Sequence, residues 1–343
     1  GAGWTAYWLE RLASSVNGGF RGLEIPGLTM HPIEYFQRQC FISSEQDDPG
    51  IKQAIEVIGD DNIVTATDFC HPEGRRYGQA AEMLISDEVD AAFSISGGLH
   101  HAMPNYAYGF CVFNDPVIAI KRFLAEGMRV AYVDIDCHHG DGVQHAFYDT
   151  GAVLTISLHE SGAYLFPGTG YPQETGAGLG RGYSVNVPLY PYTTDDVYLH
   201  AFREVVPRLL EAFQPDALVT QLGIDSHYLD PITHMALTVQ GFAEAVAEFA
   251  KLSPAKWLAL GGGGYDLHAV ARAWTLAYGV MSEQEFGAEI PESYSTTYDV
   301  ASLFDPAEVN VQDQVRKDAL AFADASVQAI HRIIYPAHGL QGI

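Results

Sequence analysis

The segment Asp134-Ile135-Asp136-Cys137-His138-His139-Gly140-Asp141-Gly142 follows directly on an apolar run that covers residues 129–135. The length and the β-branched content of that run are typical of a buried parallel strand. Because side chains alternate along a strand, Asp134 and Asp136 point to the same side, and the glycine-rich step keeps His138 nearby. Burying two unpaired carboxylates would be costly, so the pattern favours a bound cation or a hydrogen-bond network over a solvated loop.

Further apolar runs alternate with segments of helical periodicity along the rest of the chain. The other predicted strands are 62–66, 89–96, 153–158, 217–222 and 257–260. The predicted helices are 51–58, 116–126, 197–213, 239–252, 267–278 and 313–334. Alternation of strands and helices predicts an α/β layered fold with a mostly parallel sheet. Ligands of such folds bind beyond the carboxyl ends of the strands, where the polar clusters of this sequence lie.

The composition limits the partners of the protein. Of its 343 residues, 48% are hydrophobic and 18% charged, which is typical of a globular protein and excludes a disordered one. A net charge of −25 opposes nucleic acid binding and attracts cationic substrates, although an acidic surface more often serves solubility. The cysteines form no C-x-x-C pair, no apolar run approaches the ~20 residues of a membrane span, and no secretory signal is visible. We therefore expect a cytoplasmic protein without a membrane partner.

Asp136 and His138, two residues apart, can both reach one metal ion. A third ligand is expected at Asp225, just after another predicted strand. Two carboxylates and one imidazole, with positions left open for water and substrate, describe a catalytic rather than a structural metal site. Zinc is the first choice and ferrous iron the alternative, because mixed oxygen and nitrogen ligands do not distinguish the two ions. His227, two residues further on, is interpreted as a loop residue and not as a ligand.

A pair of histidines, His100 and His101, follows the strand predicted at 89–96. Because three metal ligands are already available, proton transfer is the more economical role for this pair. Asp134 and Asp141 can each orient one imidazole, as carboxylates do in other histidine–carboxylate pairs.

The glycine run 261–264 lacks both the G-x-G-x-x-G spacing and the G-K-[ST] ending of phosphate-binding loops. It does let the backbone pass close to a ligand, and it places Tyr265 as a hydroxyl donor to a developing oxyanion. Phe110 and Phe166 stand on glycine-flanked loops, where they can wall a narrow tube for an aliphatic chain.

The chain closely resembles the zinc-dependent histone deacetylase family, and within it the bacterial acetoin-utilisation deacetylases. The matching segments, in the order of the family, are GGLHHA, GFCVFND, YVDIDCHHGDGVQ, TISLHESG, LFPGTG, YSVNVP, VTQLGIDSH and LGGGGYDL. The resemblance implies an arginase-like three-layer α/β/α sandwich over residues 78–343. It also implies a hydrolase that removes acetyl or other acyl groups from lysine side chains of proteins by metal-activated water.

The resemblance also implies roles for individual residues. It assigns the metal ion, Zn²⁺ in the family, to Asp136, His138 and Asp225. It assigns catalytic roles to His100, His101, Asp134, Asp141 and Tyr265. It assigns substrate contacts to Gly109, Phe110, Phe166 and Gly263. Family members also hold a structural potassium ion, K⁺, which here would involve Asp134, Asp136, His138 and Ser157.

Residues 1–77 depart from this family and resemble the carboxyl-terminal part of a metal-dependent amidohydrolase. The segments that carry this resemblance are GWTAYWLERL, HPIEYFQRQCFIS and IGDDNIVTATDFCHPEG. The H-x-H motif of the amidohydrolase barrel is absent, so Asp68 and His71 are predicted to be inert. We interpret the chain as a fusion with its junction at about 75–81. The deacetylase part then lacks the first strand and the substrate-gripping loop of the family, and an uncovered sheet edge invites aggregation.

The sequence is compatible with more than one function. The substrate partner is an acetylated protein lysine or a small acetylated amine, since an acetylpolyamine amidohydrolase shares the same site. A metal-loaded binding protein without turnover is the alternative from another class, because the amino-terminal elements are missing. An amidohydrolase or decarboxylase is a remote third reading. The sequence indicates no oligomeric state.

Overall fold

The computed structural model describes residues 3–14, 30–44, 50–65, 79–306 and 309–341. The chain divides into two compact units, residues 1–79 and 80–343. Asp68, His71 and most of the predicted junction lie outside the described residues. The amidohydrolase-like origin of the first unit stays a prediction. No helix of the described ranges combines the length and the apolar character that crossing a membrane requires.

The first unit has a small core. Its described elements are α1 (Gly3–Ser14), α2 (Pro32–Gln39), β1 (Ile42–Ser44), α3 (Ile51–Ile58) and β2 (Ile63–Thr65). β1 and β2 pair in parallel. The core consists of Leu9, Ile42, Ala54 and Ile58. α3 coincides with the helix predicted at 51–58, and β2 lies within the strand predicted at 62–66.

From residue 79 onward, strands and helices alternate. The strands are β3 (Ala91–Ser94), β4 (Val130–Asp134), β5 (Val153–Glu160), β6 (Ser184–Leu189), β7 (Ala217–Gln221) and β8 (Trp257–Leu260). The helices are α4 (Gln79–Ile85), α5 (Asp115–Ala125), α6 (Asp141–Phe147), α7 (Asp195–Phe213), α8 (Val239–Leu252), α9 (Leu267–Met281), α10 (Glu292–Tyr298) and α11 (Asp313–Ile333). The predicted strands and helices of this part are all present, with small differences at their ends.

Strands β3 to β8 form one sheet in the order β3-β8-β7-β4-β5-β6. All neighbouring strands run parallel. This arrangement confirms the predicted parallel α/β fold. Every residue of β4 and of β7 is buried, as expected for central strands that are covered on both faces.

Alternate residues of the central strand β4 enter two separate cores. Ala131 and Val133 pack with residues of α7, α8 and α11, whereas Val130 and Tyr132 pack with residues of α4, α5 and α6. Helices therefore cover both faces of the sheet. The second unit is the three-layer α/β/α sandwich that the sequence predicted.

The two outer strands differ from the central ones. β6 is not among the predicted strands, because Ser184, Asn186 and Pro188 interrupt its apolar pattern. Pro188 has no N–H for a ladder hydrogen bond, and an edge strand tolerates this loss. At the opposite edge, β3 pairs with β8, and no strand in the described part of the chain pairs with its outer side.

A buried ion-pair network ties the segment before α11 to α8 and α9. The Asp305 carboxylate accepts hydrogen bonds from His227 Nε2 at 2.8 Å, Arg272 Nη1 at 2.7 Å and the Val239 N–H at 2.8 Å. The Leu229 N–H donates to His227 Nδ1, so the proton of the ring lies on Nε2 and faces Asp305. His227 is thus engaged in a loop network, as interpreted from the sequence.

We expect Asp305→Asn to lower the free energy of unfolding at neutral pH by about 3 kcal/mol, because Arg272 and His227 lose a buried charged partner. Burial opposes ionisation of Asp305, but its hydrogen bonds outweigh burial and lower its pKa to about 2. A lowered pKa stabilises the fold above the unfolded value of ~3.9, and this stabilisation disappears as the pH falls toward about 2.

Urea denaturation checks this expectation. The difference in unfolding free energy between wild type and Asp305→Asn should stay constant while the pH remains well above ~4 and should narrow below it. The exposed Asp318, changed to Asn, serves as the control and should leave stability unchanged. A difference that stays constant down to the lowest measurable pH would contradict the expectation.

Candidate active site

Seven of the predicted site residues lie beyond the carboxyl ends of four adjacent strands. They follow β3 (His100, His101), β8 (Gly263, Tyr265), β7 (Asp225) and β4 (Asp136, His138). Because these strands are consecutive neighbours in the sheet, their carboxyl ends meet at one stretch of its edge. This is the location that the fold class predicts for a ligand site.

An open pocket lies at this edge, and together with its solvent-filled mouth it takes up about 340 Å³. Its lining consists of Gly98, Leu99, His100, His101, Gly109, Phe110, Cys111, Asp136, His138, Asp225, Gly262, Gly263 and Tyr265. Of the predicted site residues, Asp134 and Asp141 lie behind the histidine pair and contact it from there. Phe166 is not among the lining residues of this pocket, although its ring lies near two of them.

The three predicted metal ligands converge. Asp136, His138 and Asp225 are buried, and each offers one ligand atom within 4.8 Å of the others. His138 Nδ1 is 2.8 Å from Asp225 Oδ2 and 3.3 Å from Asp136 Oδ1. Two carboxylates and one imidazole fit a divalent cation that keeps further positions open for water and substrate. The donor set suits zinc and ferrous iron alike.

Backbone N–H groups orient the two carboxylates. The N–H of Gly263 donates to Asp136 Oδ2, and the N–H of Cys137 donates to Asp225 Oδ1, both at 2.7 Å. Each carboxylate therefore keeps its other oxygen directed at His138. A Cβ atom on Gly263 would overlap the Asp225 carboxylate, so this position of the glycine run requires glycine.

The electrostatics of this cluster favour a cation. Burial and the charge of Asp136 raise the pKa of Asp225 to about 7. Burial opposes protonation of His138, but the carboxylates of Asp225 and Asp136 outweigh it and raise the pKa of His138 to about 11. A buried cluster that attracts positive charge this strongly is suited to hold a metal ion.

The histidine pair is held from both ends. His100 Nδ1 lies 2.8 Å from Asp134 Oδ2, and His101 Nδ1 lies 2.7 Å from Asp141 Oδ1. The two Nε2 atoms face each other at 3.0 Å. The Tyr132 hydroxyl donates a hydrogen bond of 2.7 Å to Asp134 Oδ2, the same oxygen that contacts His100. Carboxylates that bind Nδ1 fix the orientation of each ring and leave Nε2 to the pocket.

The two imidazoles differ in charge. At His100 burial opposes protonation, but the carboxylates of Asp134 and Asp136 outweigh it and raise the pKa to about 9. At His101 burial and the charge of His100 lower the pKa to about 4, although Asp141 opposes the shift. At neutral pH the pair therefore consists of a protonated His100 and a neutral His101, whose Nε2 carries no proton and faces the Nε2 of His100.

Tyr265 enters the pocket from the end of the glycine run. Burial and the charge of Asp225 raise the pKa of its phenol, so the hydroxyl keeps its proton and can donate it. The backbone N–H of Tyr265 donates to Asp230 Oδ2 at 2.9 Å. Sequence reasoning did not identify Asp230, because no local motif marks a partner that lies in a separate loop.

Aromatic rings flank the pocket on two sides. The ring centroid of Phe110 lies 6.1 Å from that of Tyr265. Next to the histidine pair, the Phe166 centroid lies 5.1 Å from that of His101. Tyr108, which sequence reasoning also missed, extends this second side, since its centroid lies 5.0 Å from that of Phe166. The placement suits the predicted role of Phe110 and Phe166 as walls for an aliphatic chain.

A tight turn places Gly109 against the histidine pair. Tyr108 and Cys111 exchange backbone hydrogen bonds, and Gly109 and Phe110 between them have φ values of +52° and +63°. Two left-handed residues in succession are typical of a type I′ turn. A Cβ atom on Gly109 would overlap the His101 ring, so the turn can approach the ring only with glycine at this position. The Gly109 carbonyl accepts the Cys111 thiol proton at 3.2 Å.

The residues expected around a potassium ion are also neighbours. Asp134 on β4 stands opposite Ser157 on β5 in the parallel register. The Ser157 hydroxyl contacts His159 Nδ1 at 2.8 Å. Binding of potassium by this group stays a prediction.

Comparison with known proteins relates about two thirds of the chain to one group. The sequence matches the histone deacetylase domain over residues 55–281. The acetoin utilization protein AcuC of Bacillus subtilis is 43% identical over 221 residues, which cover 63% of this chain and 57% of that protein. Human histone deacetylase 1 is 43% identical over 224 residues, which cover 65% of this chain and 46% of that protein.

The fold has a similar relative among solved structures. The crystal structure of an HDAC homolog from Aquifex aeolicus superposes with a TM-score of 0.60 and 33% identity, over 72% of this chain and 70% of that chain. The chain spans about half of the length of the curated relatives that it matches. The domain match begins upstream of the junction predicted at about 75–81, and the position of that junction stays a prediction.

Proposed function

Because the chain belongs to the histone deacetylase family, we propose that it hydrolyses the amide bond of acetylated or otherwise acylated lysine side chains of proteins, in a metal-dependent reaction. The observation that carries the proposal is the 3.0 Å pair of His100 and His101 in the same pocket as the three metal donors. Amide hydrolysis needs a proton acceptor, a proton donor and stabilisation of a developing oxyanion. The pocket brings groups for all three tasks together.

Asp136, His138 and Asp225 would hold the ion. When bound, a divalent ion supplies Lewis acidity, which polarises the amide carbonyl and lowers the pKa of a water molecule toward ~7. The two carboxylates would neutralise the charge of the ion, and the backbone N–H groups of Cys137 and Gly263 hold one oxygen of each carboxylate in place.

The histidine pair moves the protons. His101 accepts a proton from water at Nε2 and returns a proton to the leaving amine, since its Nδ1 is already engaged by Asp141. His100 carries positive charge beside it and stabilises negative charge on the reacting amide. The hydrogen bond from His100 Nδ1 to Asp134 stabilises the protonated form of the ring.

Tyr265 and the aromatic side chains would bind and orient the substrate. The Tyr265 hydroxyl donates to the oxygen of the tetrahedral intermediate. Phe110, beside Tyr265, and Phe166, beside His101, would pack against the aliphatic part of a lysine and exclude water. The Gly109 carbonyl would accept the N–H of the substrate amide.

The proposal is tested by measuring acetate release from an acetyl-lysine peptide with the purified protein. We expect release that a chelator abolishes and that added Zn²⁺ restores, because the donor set holds the ion only while it is available. Asp136→Asn should lose both the bound metal and the activity, and His200→Asn, a change on α7 at a residue that does not line the pocket, should lose neither. Lack of release with zinc, ferrous or cobalt ions would reject the proposal.

A small acetylated amine is the second candidate substrate, and the net charge of −25 favours it, because an acidic surface attracts a cationic molecule. Parallel assays with an acetyl-lysine peptide and an acetylated polyamine separate the two. A higher kcat/KM for the peptide supports the protein substrate. A higher kcat/KM for the polyamine, with a strong decrease at high salt, supports the small amine.

A further inference from the structure

The first residues of α5 bind the backbone of the loop that carries the histidine pair. Asp115 is buried, and its two carboxylate oxygens accept hydrogen bonds from the N–H groups of Gly98 and Leu99, each 2.8 Å long. The residue before it, Asn114, binds the other end of the same loop. Neither side chain is among the residues that line the described pocket, so neither is placed to touch a substrate there.

Asn114 makes three hydrogen bonds at once. Its Nδ2 donates to the carbonyl oxygens of His100 and Ala102, at 3.0 and 3.1 Å. Its Oδ1 accepts the Val117 N–H at 3.0 Å and caps α5. An amide nitrogen only donates and an amide oxygen only accepts, so these partners require this single orientation of the side chain.

Two glycines leave space for the side chains of Asn114 and Asp115. A Cβ atom on Gly97 would overlap the Asp115 carboxylate. A Cβ atom on Gly142, in the first turn of α6, would overlap the Asn114 amide and the carbonyl oxygens that it binds. The residue before it, Asp141, holds the His101 ring. The start of α5, the start of α6 and the histidine loop therefore meet at these two side chains.

We propose that Asn114 and Asp115 are positioning residues that keep His100 and His101 in register for proton transfer, a role that rests on the proposed deacylase function. Capping a helix requires only the Asn114 oxygen. The two N–H donors of Asn114 and the two carboxylate oxygens of Asp115 are all directed at the loop Gly98–Ala102. Four backbone hydrogen bonds within five residues fix a segment that, as a loop, would otherwise be mobile.

The change Asn114→Ser separates capping from positioning. Serine also caps helices, but it replaces the two N–H donors of Asn114 with a single hydroxyl on a shorter side chain, so at least one hydrogen bond to the loop is lost. We expect kcat to fall by about ten- to a hundredfold, because small displacements of a proton-transferring group cost rate. KM should change by less than about twofold and the zinc content should stay at the wild-type value. Ile120→Val, a buried change further along α5, is the matched control and should keep the wild-type kcat.

A second measurement does not depend on turnover. His100 Nδ1 and His101 Nδ1 face carboxylates at 2.8 and 2.7 Å, so their ring signals in ¹⁵N-histidine-labelled protein report how the loop is placed. His100→Asn and His101→Asn identify these signals. Asn114→Ser and Asp115→Asn should shift them, whereas Ile120→Val should not.

Wild-type kcat together with unmoved ring signals in Asn114→Ser and Asp115→Asn would overturn the proposal. An equal loss of kcat in Ile120→Val would also overturn it, since the effect would then be one of general stability. If the wild-type protein releases no acetate with any metal ion, the proposed function fails. Shifted ring signals would still support the positioning of the loop in that case.

Discussion

His101→Asn should lower kcat for deacetylation by about 10²- to 10⁴-fold, because it removes the neutral imidazole that accepts and returns the proton. Asparagine can still reach toward Asp141 but has no nitrogen that takes up a proton. KM should change little, since the aromatic walls that would hold the substrate remain. Steady-state kinetics on an acetyl-lysine peptide, with zinc content measured in parallel, check this expectation.

Two further variants make the test specific for the proton-transfer role of His101. Asp141→Asn removes the charge that orients the His101 ring, so it should cause a smaller loss of kcat than His101→Asn itself. His200→Asn on α7 should keep wild-type kinetics. If His101→Asn keeps a kcat within about threefold of wild type, far from the loss of a general acid–base group, the residue has no part in proton transfer.

The fold could be predicted because the central strands carry a local signal. The apolar run before Asp134 marks β4, and the motif that follows it places Asp136 and His138 at the carboxyl end of a buried strand. Parallel neighbours then bring Asp225, which follows β7, to the same edge. The apolar pattern is enough to predict these central strands, because a strand that is buried on both faces needs a continuous apolar run.

The parts that could not be predicted depend on contacts between distant segments. β6 could not be predicted from its apolar pattern, because an edge strand tolerates polar residues and Pro188. Asp230 binds the Tyr265 backbone from a loop of its own, and nothing near it in sequence marks the contact. Asn114 and Asp115 lie inside a segment that carries the family resemblance, but only the structure reveals that their side chains hold the histidine loop.

Tyr265→Phe should lower kcat by about 10²- to 10³-fold, because it removes one hydrogen bond to the developing oxyanion and little else. The ring remains, so its contact with Phe110 is kept. The backbone N–H that binds Asp230 is also unchanged. The phenol lies outside the predicted ligand set, so the bound metal should stay at the wild-type stoichiometry.

The matched control for Tyr265→Phe is Tyr278→Phe, which removes a hydroxyl from an exposed tyrosine of α9 and should leave kcat unchanged. Because a transition-state contact is lost, kcat and kcat/KM of Tyr265→Phe should fall by the same factor. A higher KM with an unchanged kcat would instead assign Tyr265 to substrate binding alone. Equal turnover of wild type and Tyr265→Phe would remove the hydroxyl from the reaction, and oxyanion stabilisation would then rest on His100 and the metal site.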